Sequence, residues 1–360
     1  MTSTKPLMPW RATCMQVYTH ATNRATNRAE AMAIVNRSLD RWEELLDNLG
    51  RYGAGTKQLA LFPEFALQGF PGKESAAEWI EKSCFEIPGS PEIGRLQKKA
   101  KALGIYIGAN AYERDPEWPG RYFNCSFLID DQGEIILKYR RINTQHAGSP
   151  HDFMDKYLAR YGVEGIFPVA RTPLGNLAMI PCGEIMYPEA ARAVMFRGAE
   201  VLLHPTSDFG AWDNWSWQSC KKARASENMM YLISANSGGI HGTSVPDTEN
   251  AGRSRIFDYE GRILAEGPSP GESMRCNTLI DVEALRRVRS SAGGFNRLVG
   301  IRTEIYRLVY DNTVFFPANS FADSAMESRA KIREVHQTAL ANLAKVGAIP
   351  PQEPERKAAE

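Results

Sequence analysis

Residues 177–206, LAMIPCGEIMYPEAARAVMFRGAEVLLHPT, place one cysteine between a short apolar run and a helical pattern. The apolar run that ends at Ile180 predicts a buried strand. Pro188 and Glu189 are typical of the first turn of a helix, and a second apolar run closes the stretch. The stretch therefore predicts a strand, a helix and a strand, with Cys182 at the end of the first strand.

The same alternation of strands and helices continues along most of the chain. Apolar runs predict strands at 57–65, 105–114, 200–206, 231–239 and 276–282, and hairpins at 122–143 and 254–267. Helical spacing of apolar residues predicts helices at 26–50, 88–104, 188–199 and 215–229. Two α-β-β units in succession predict an α/β fold in which two mixed sheets pack together, with helices outside.

The chain is expected to form one domain followed by an extension. We place the domain at 8–285, because the strand and helix patterns end there. The segment 286–345 is mixed in character, and we expect it to pack on the domain or on a neighbouring subunit. The tail at 346–360 is polar and rich in proline, which predicts a flexible segment.

The composition is typical of a soluble globular protein. A net charge of +1 over 360 residues gives no reason to expect nucleic acid or a membrane as the main partner. The N-terminal residues lack an apolar signal segment, and no run approaches the roughly 18 apolar residues of a membrane span. Six cysteines are scattered without CxxC pairs. We therefore expect a cytoplasmic protein with free thiols.

Cys182 has two interpretations, a buried thiol that fills space or a nucleophile at a strand end. A nucleophile needs a base and a positive charge nearby. Glu64 follows an apolar strand and lies between aromatic residues and a proline, which favours a raised carboxyl pKa. Lys138 lies near the end of another apolar strand, where an ammonium could approach the same edge of the sheets. Taken alone, both side chains are also typical of solvated surface positions.

A family resemblance supports the nucleophile. FPE, LKYRR and PCGEIMYPEAAR followed by GAEVLLHPT resemble, in this order, the nitrilase (carbon-nitrogen hydrolase) superfamily, and the likeness extends from about residue 30 to residue 282. FPEFALQGF, the length and the long C-terminal extension are most similar to the aliphatic amidase and formamidase branch. The resemblance implies a triad of Glu64, Lys138 and Cys182 in a four-layer α-β-β-α sandwich. It also implies no metal, no organic cofactor, and subunits that pair across the helix after the nucleophile, as a homodimer or larger homo-oligomer.

The activity expected from this resemblance is that of an amidase, which converts a carboxamide to a carboxylic acid and ammonia through a thioester. A nitrilase is the nearest alternative, because both reactions begin with thiolate attack on an electrophilic carbon. A non-catalytic scaffold of the same fold is an alternative of a different class. The small-molecule substrate is therefore expected to be an amide or a nitrile.

The sequence departs from the family pattern at the acid that often follows the lysine. No glutamate follows Lys138 until Glu164. Asp152, His146 and Glu164 are alternatives for this role, and each is equally compatible with an exposed loop.

The residues after the nucleophile also differ from the family pattern. Gly183 either leaves room for a larger acyl group or eases a tight turn. Trp212, Trp215 and Trp217 follow a strand end, where they either line an acyl pocket or pack a helix on a sheet. We predict that the substrate is bound by Phe65, Gly183, Glu184 and Trp212.

Overall fold

The computed structural model of the chain describes residues 6–52, 55–144, 147–209, 215–250, 252–294, 296–326 and 329–351. The strands are β1 (Trp10–Cys14), β2 (Tyr18–His20), β3 (Gln58–Leu61), β4 (Tyr106–Arg114), β5 (Tyr122–Ile129), β6 (Ile135–Arg140), β7 (Ala170–Thr172), β8 (Gly175–Met179), β9 (Val201–Thr206), β10 (Tyr231–Asn236), β11 (Gly239–His241), β12 (Arg255–Phe257), β13 (Ile263–Glu266) and β14 (Asn277–Ile280). The helices are α1 (Arg28–Tyr52), α2 (Ala76–Ser83), α3 (Pro91–Leu103), α4 (Met154–Ile166), α5 (Pro188–Phe196), α6 (Trp215–Asn228), α7 (Val282–Arg289), α8 (Thr303–Tyr310) and α9 (Arg329–Lys345). Within these ranges, every helix is too short or too polar to cross a lipid bilayer.

Two mixed sheets form the centre of the fold. One has the strand order β14-β1-β3-β4-β5-β6, and the other has the order β13-β12-β10-β9-β8-β7. In the first sheet β1, β3 and β4 are parallel, and in the second β8, β9 and β10 are parallel. The hairpin strands β5, β6, β12 and β13 are antiparallel to their neighbours. This arrangement confirms the predicted pair of mixed sheets.

Helices cover the outer face of each sheet, which gives four layers. Apolar residues of α1 and α3 pack on β4 and β5 in one outer core. Residues of α5 and α6 join the larger core, which includes both sheets. The sheets approach closely at Gly108, where a Cβ atom would lie 2.7 Å from Leu61 Cδ1 and 3.7 Å from Leu203 Cδ1. A larger residue at position 108 would therefore force the Leu61 side chain to move in this closely packed layer.

The strand ends of the two sheets meet at one edge. β6 runs in the same direction as β3, because two antiparallel pairings separate β6 from β4. The backbone N–H of Glu64, after β3, donates to the carbonyl of Thr206 at the end of β9 (3.4 Å). Residues that follow β3, β6, β8 and β9 are thereby brought together.

The helix that follows β14, α7, contributes Val282 and Leu285 to the core of the domain. The boundary that we placed at 285 falls within α7, where Leu285 is fully buried. Further on, the backbone N–H groups of Asn319 and Phe321 donate to the carbonyls of His151 and Asp152 (3.0 and 2.9 Å). Of the predicted flexible tail, residues 352–360 lie outside the described residues.

Candidate active site

Cys182 begins a short 3-10 helix, Cys182–Met186, which is separated from β8 by two residues. Its φ angle of +51° lies in the left-handed region, which costs a residue with a side chain about 1–2 kcal/mol. His204 on β9 lies 2.9 Å from the Cys182 carbonyl through Nε2 and 2.9 Å from the Ser234 hydroxyl through Nδ1. Burial lowers the pKa of His204 to about 3, so the ring is neutral. Nε2 must carry the proton, because a carbonyl only accepts, and the imidazole therefore helps to hold the strained turn.

Glu64 is fully buried beside the Cys182 thiol. Asn124 Nδ2 donates to Glu64 Oε1 (2.8 Å), and Asn110 Nδ2 donates to Asn124 Oδ1 (2.7 Å). Asn110 also accepts the N–H of Phe65 (2.9 Å). Glu64 Oε2 accepts no hydrogen bond from an N–H or O–H group of the described residues. Burial raises the pKa of Glu64, and this open oxygen can receive the thiol proton.

Arg141 supplies the positive charge at this site. It follows β6, and its Nη1 lies 3.1 Å from Glu64 Oε1, while Nε donates to the carbonyl of Asn143 (2.7 Å). A Cβ atom on Gly183 would lie 3.2 Å from Arg141 Nη2, so the guanidinium reaches the turn of the nucleophile. Burial raises the pKa of the Cys182 thiol, and Glu64 raises it further, whereas Arg141 lowers it.

Lys138 lies on the opposite face of β6, which corrects its predicted position. Leu137 and Tyr139 point into the core between the sheets. Because side chains alternate along a strand, Lys138 points to the other face, where Nζ donates to the carbonyl of Ile87 (2.7 Å) and to Glu113 Oε1 (2.5 Å). Lys138 is absent from the described lining of the cavity that contains Glu64 and Cys182. Counted from Leu137, the same alternation places Tyr139 and Arg141 on the face that points between the sheets. The pattern along the strand therefore indicates Arg141 as the cation at the site.

This arrangement lies within a segment that matches a known family. Residues 31–290 match the model of the carbon-nitrogen hydrolase family. The chain belongs to this family.

Relatives and solved structures agree with the family. The chain is 31% identical over 211 residues to formamidases of Bacillus thuringiensis (strain Al Hakam) and Bacillus anthracis. The match covers 58% of this chain and 58% of each formamidase. Nit3 of Saccharomyces cerevisiae, a member of the nitrilase superfamily, has 18% identity and a TM-score of 0.62, over 81% of this chain and 98% of Nit3. A Nesterenkonia amidase variant has 21% identity and a TM-score of 0.60, over 83% and 97%. These structures confirm the nitrilase-like fold.

A cavity of about 610 Å³ is lined by Glu64, Arg141 and Cys182, and it contains some of the residues that we predicted to bind substrate. Phe65 and Gly183 line it, and so does Trp217, which lies 3.4 Å from the Cβ position of Gly183. Trp212 lies outside the described residues, as does the side chain of Trp215. A volume of this size suits a ligand much larger than formamide, because cavities of about 300–1,000 Å³ enclose drug-sized ligands.

Glu184 lies behind the cavity and does not line it, which corrects the prediction that it contacts substrate. Its fully buried carboxylate accepts the backbone N–H groups of Ile142 and Asn143 (3.0 and 2.9 Å) and the amide of Asn143 (3.2 Å). Glu184 thus links the helix of the nucleophile to the loop that follows Arg141.

Replacing Glu184 with alanine should destabilise this loop. Two backbone N–H groups would lose their buried acceptor, and we expect the free energy of unfolding to fall by about 3 kcal/mol. Glu184→Gln, which keeps an oxygen acceptor, should lose less. Urea unfolding measures both, with Glu81→Ala, at an exposed position on α2, as the control. A Glu184→Ala variant as stable as the control would contradict the proposed role.

The three alternatives for the additional acid occupy different environments. Asp152 is 6% exposed and lines the cavity, where Oδ2 accepts the N–H of Ser149 (2.9 Å). Glu164 is exposed on α4 and pairs with Arg197 (3.0 Å). His146 lies outside the described residues. Among the described residues, Asp152 is therefore the alternative that lies at the cavity.

Burial of Asp152 should appear in the pH dependence of stability. Burial raises its pKa to about 6 in the folded protein, above the usual value, so the folded state binds the proton more tightly. The resulting stabilisation is present at low pH and is lost as the pH rises through about 6. From pH 5 to pH 8, the stability of the wild type relative to Asp152→Asn should fall by about 1 kcal/mol. Urea unfolding at both pH values measures this change, with Asp155→Asn, at an exposed position on α4, as the comparison variant.

Proposed function

We propose that this member of the carbon-nitrogen hydrolase family is a cysteine-dependent amidase, which converts a carboxamide to a carboxylic acid and ammonia. The observation that carries this proposal is the convergence of Cys182, Glu64 and Arg141 on one cavity. The matched formamidases support it, although the chain aligns with only 58% of their length. In a glutamate-to-glutamine mutant of the Nesterenkonia amidase, the acetamide moiety of fluoroacetamide is covalently bound to the active-site cysteine.

The first half-reaction forms a thioester. Burial holds Cys182 as a neutral thiol, so attack requires a base, and Glu64 is positioned to take the proton. The sulfur forms a bond to the amide carbon, and the carbonyl π electrons move to oxygen. When the tetrahedral intermediate collapses, the C–N bond breaks, and Glu64 returns the proton to the leaving nitrogen as ammonia departs.

The second half-reaction regenerates the thiol. Glu64 removes a proton from water, whose oxygen attacks the thioester carbon. The C–S bond then breaks, Cys182 recovers the proton, and the carboxylic acid leaves. One buried carboxyl therefore serves as base and acid in turn, which fits its raised pKa.

Arg141 takes the role that the family resemblance gave to a lysine. Nε and Nη1 are bound to Asn143 and Glu64, which leaves Nη2 without a partner among the residues that the structure describes. Nη2 can donate to the oxyanion, with the N–H of Gly183 in the first turn of the 3-10 helix as a second donor. A guanidinium stays charged throughout and donates in a fixed plane, so it stabilises charge without exchanging protons.

Paired substrates test the proposal. Ammonia release is measured from amides and nitriles that share an acyl group, short aliphatic or aromatic, with Cys182→Ala as the blank. Release from the amides supports an amidase. Release from the nitriles alone would move the protein to the nitrilase reaction, and no release with an unreactive Cys182 would support the scaffold. The homo-oligomer and the cytoplasmic location stay predictions.

A further inference from the structure

One wall of the active-site cavity comes from outside the segment that matches the family. The match ends at residue 290, whereas Phe316, Ile332 and His336 line the cavity together with Glu64 and Cys182. Residues of the C-terminal extension thus face the catalytic residues of their own chain. The match to the family model does not include the residues that form this wall.

The wall is anchored next to the site by hydrogen bonds. Besides the two backbone bonds to His151 and Asp152, Arg121 Nη2 donates to the carbonyl of Phe321 (2.6 Å). Lys156 Nζ donates to the carbonyl of Ala322 (2.8 Å). Phe321 itself is buried with Met326 and Ile332 in a small core of the extension. The segment that follows Phe316 is therefore held against the domain beside the cavity.

Two groups of aromatic rings line the cavity, one on the domain and one that includes the wall. Phe316 lies between two imidazole rings, with its centroid 5.8 Å from that of His151 and 5.9 Å from that of His336. On the domain side, the Phe65 centroid is 5.5 Å from Phe70, and Phe70 is 5.6 Å from Phe209. All of these rings line the cavity. Edge and face contacts of this kind favour a flat aromatic guest.

We propose that the C-terminal extension selects the substrate, and that the preferred amides carry an aromatic ring, or an apolar group of similar size, on the acyl side. A cavity of about 610 Å³ lined by these rings is far larger than a short aliphatic amide. This inference rests on the proposed amidase function. It makes Phe316 a specificity-determining residue contributed by the extension.

The test compares acetamide with phenylacetamide, which differ by one phenyl ring. The full-length wild type should show a kcat/KM at least about 10-fold higher for phenylacetamide. Phe316→Ala should lower kcat/KM for phenylacetamide about 10-fold and that for acetamide by less than about 2-fold. Phe315→Ala is the matched control, because Phe315 is 38% exposed and is not among the described cavity residues. Phe316→Leu, which keeps an apolar side chain but no ring, replaces Phe316→Ala if the latter unfolds.

The outcomes separate this inference from the proposed function. Equal loss for both amides, no loss, or a wild-type preference for acetamide would overturn the selective wall while the amidase stands. If the wild type hydrolyses no amide, the amidase proposal fails. Calorimetric titration of Cys182→Ala with phenylacetamide and with acetamide then tests whether the wall selects between them. If phenylacetamide binds more tightly than acetamide, and Phe316→Ala removes this preference, the selective wall is still supported. Equal or absent binding of the two amides would overturn it.

Discussion

Cys182→Ala is expected to release ammonia no faster than buffer, a loss of at least about 10⁴-fold. Among the described residues that line the cavity, Cys182 is the one thiol that can form the thioester, because Glu64 and Arg141 act on protons and charge. The folded structure should survive, since alanine keeps a Cβ atom at the same backbone position. Ammonia release measured against a standard amide, together with circular dichroism, checks both statements.

Two further variants make the result specific to this thiol. Cys220→Ala removes a cysteine of α6 that is only partly buried, and its activity should equal that of the wild type. Cys182→Gly should be as inactive as Cys182→Ala. Its free energy of unfolding should be about 1 kcal/mol higher than that of Cys182→Ala, because glycine adopts the φ of +51° without strain. Ammonia release that persists in Cys182→Ala would refute the thioester mechanism.

Much of the fold could be predicted from hydrophobic patterning. The sheets were predicted from apolar runs, such as the run at 200–206 that forms β9. The outer layers were predicted from helical spacing of apolar residues, as in α1. β1 was missed because Arg11 and Thr13 interrupt a strand of only five residues, although Trp10, Ala12 and Cys14 are buried between the sheets. α4 was missed because Gly162 and Gly165 weaken its helical pattern. Short strands and glycine-containing helices depend on tertiary packing that local sequence does not show.

The candidate site was predicted only in part, for a reason of geometry. Glu64 and Cys182 both follow predicted strands, and the family resemblance grouped them; in the structure they meet at one edge of the two sheets. Lys138 also lies near a strand end and in the family motif, but the alternation along β6 turns its side chain to the face that carries Glu113. Phe316 and Ile332 could not be assigned, since they come from a segment without a strand or helix pattern that we recognised. Residues brought to a site by long-range folding leave little local signal.

Arg141→Ala is expected to reduce kcat/KM by about 10³-fold, whereas Lys138→Met should keep activity within about 3-fold of the wild type. The difference follows from the alternation along β6. Arg141 reaches Glu64 and the turn of Cys182, and without it the oxyanion would lose a charged donor. Lys138 reaches Glu113 on the far face of the sheet.

Stability measurements distinguish catalysis from folding in this pair. Lys138→Met leaves Glu113 bound to Arg140, whose Nε lies 2.7 Å from Glu113 Oε2, so the variant should fold with a modest loss of unfolding free energy. Arg141→Lys restores a positive charge but not the planar set of donors, and we expect only partial recovery of activity. If Lys138→Met were inactive while folded, and Arg141→Ala active, the assignment from the sequence motif would be right and the one from the geometry wrong. The two residues are three positions apart, so this comparison tests whether the face of β6, rather than its motif, determines the catalytic cation.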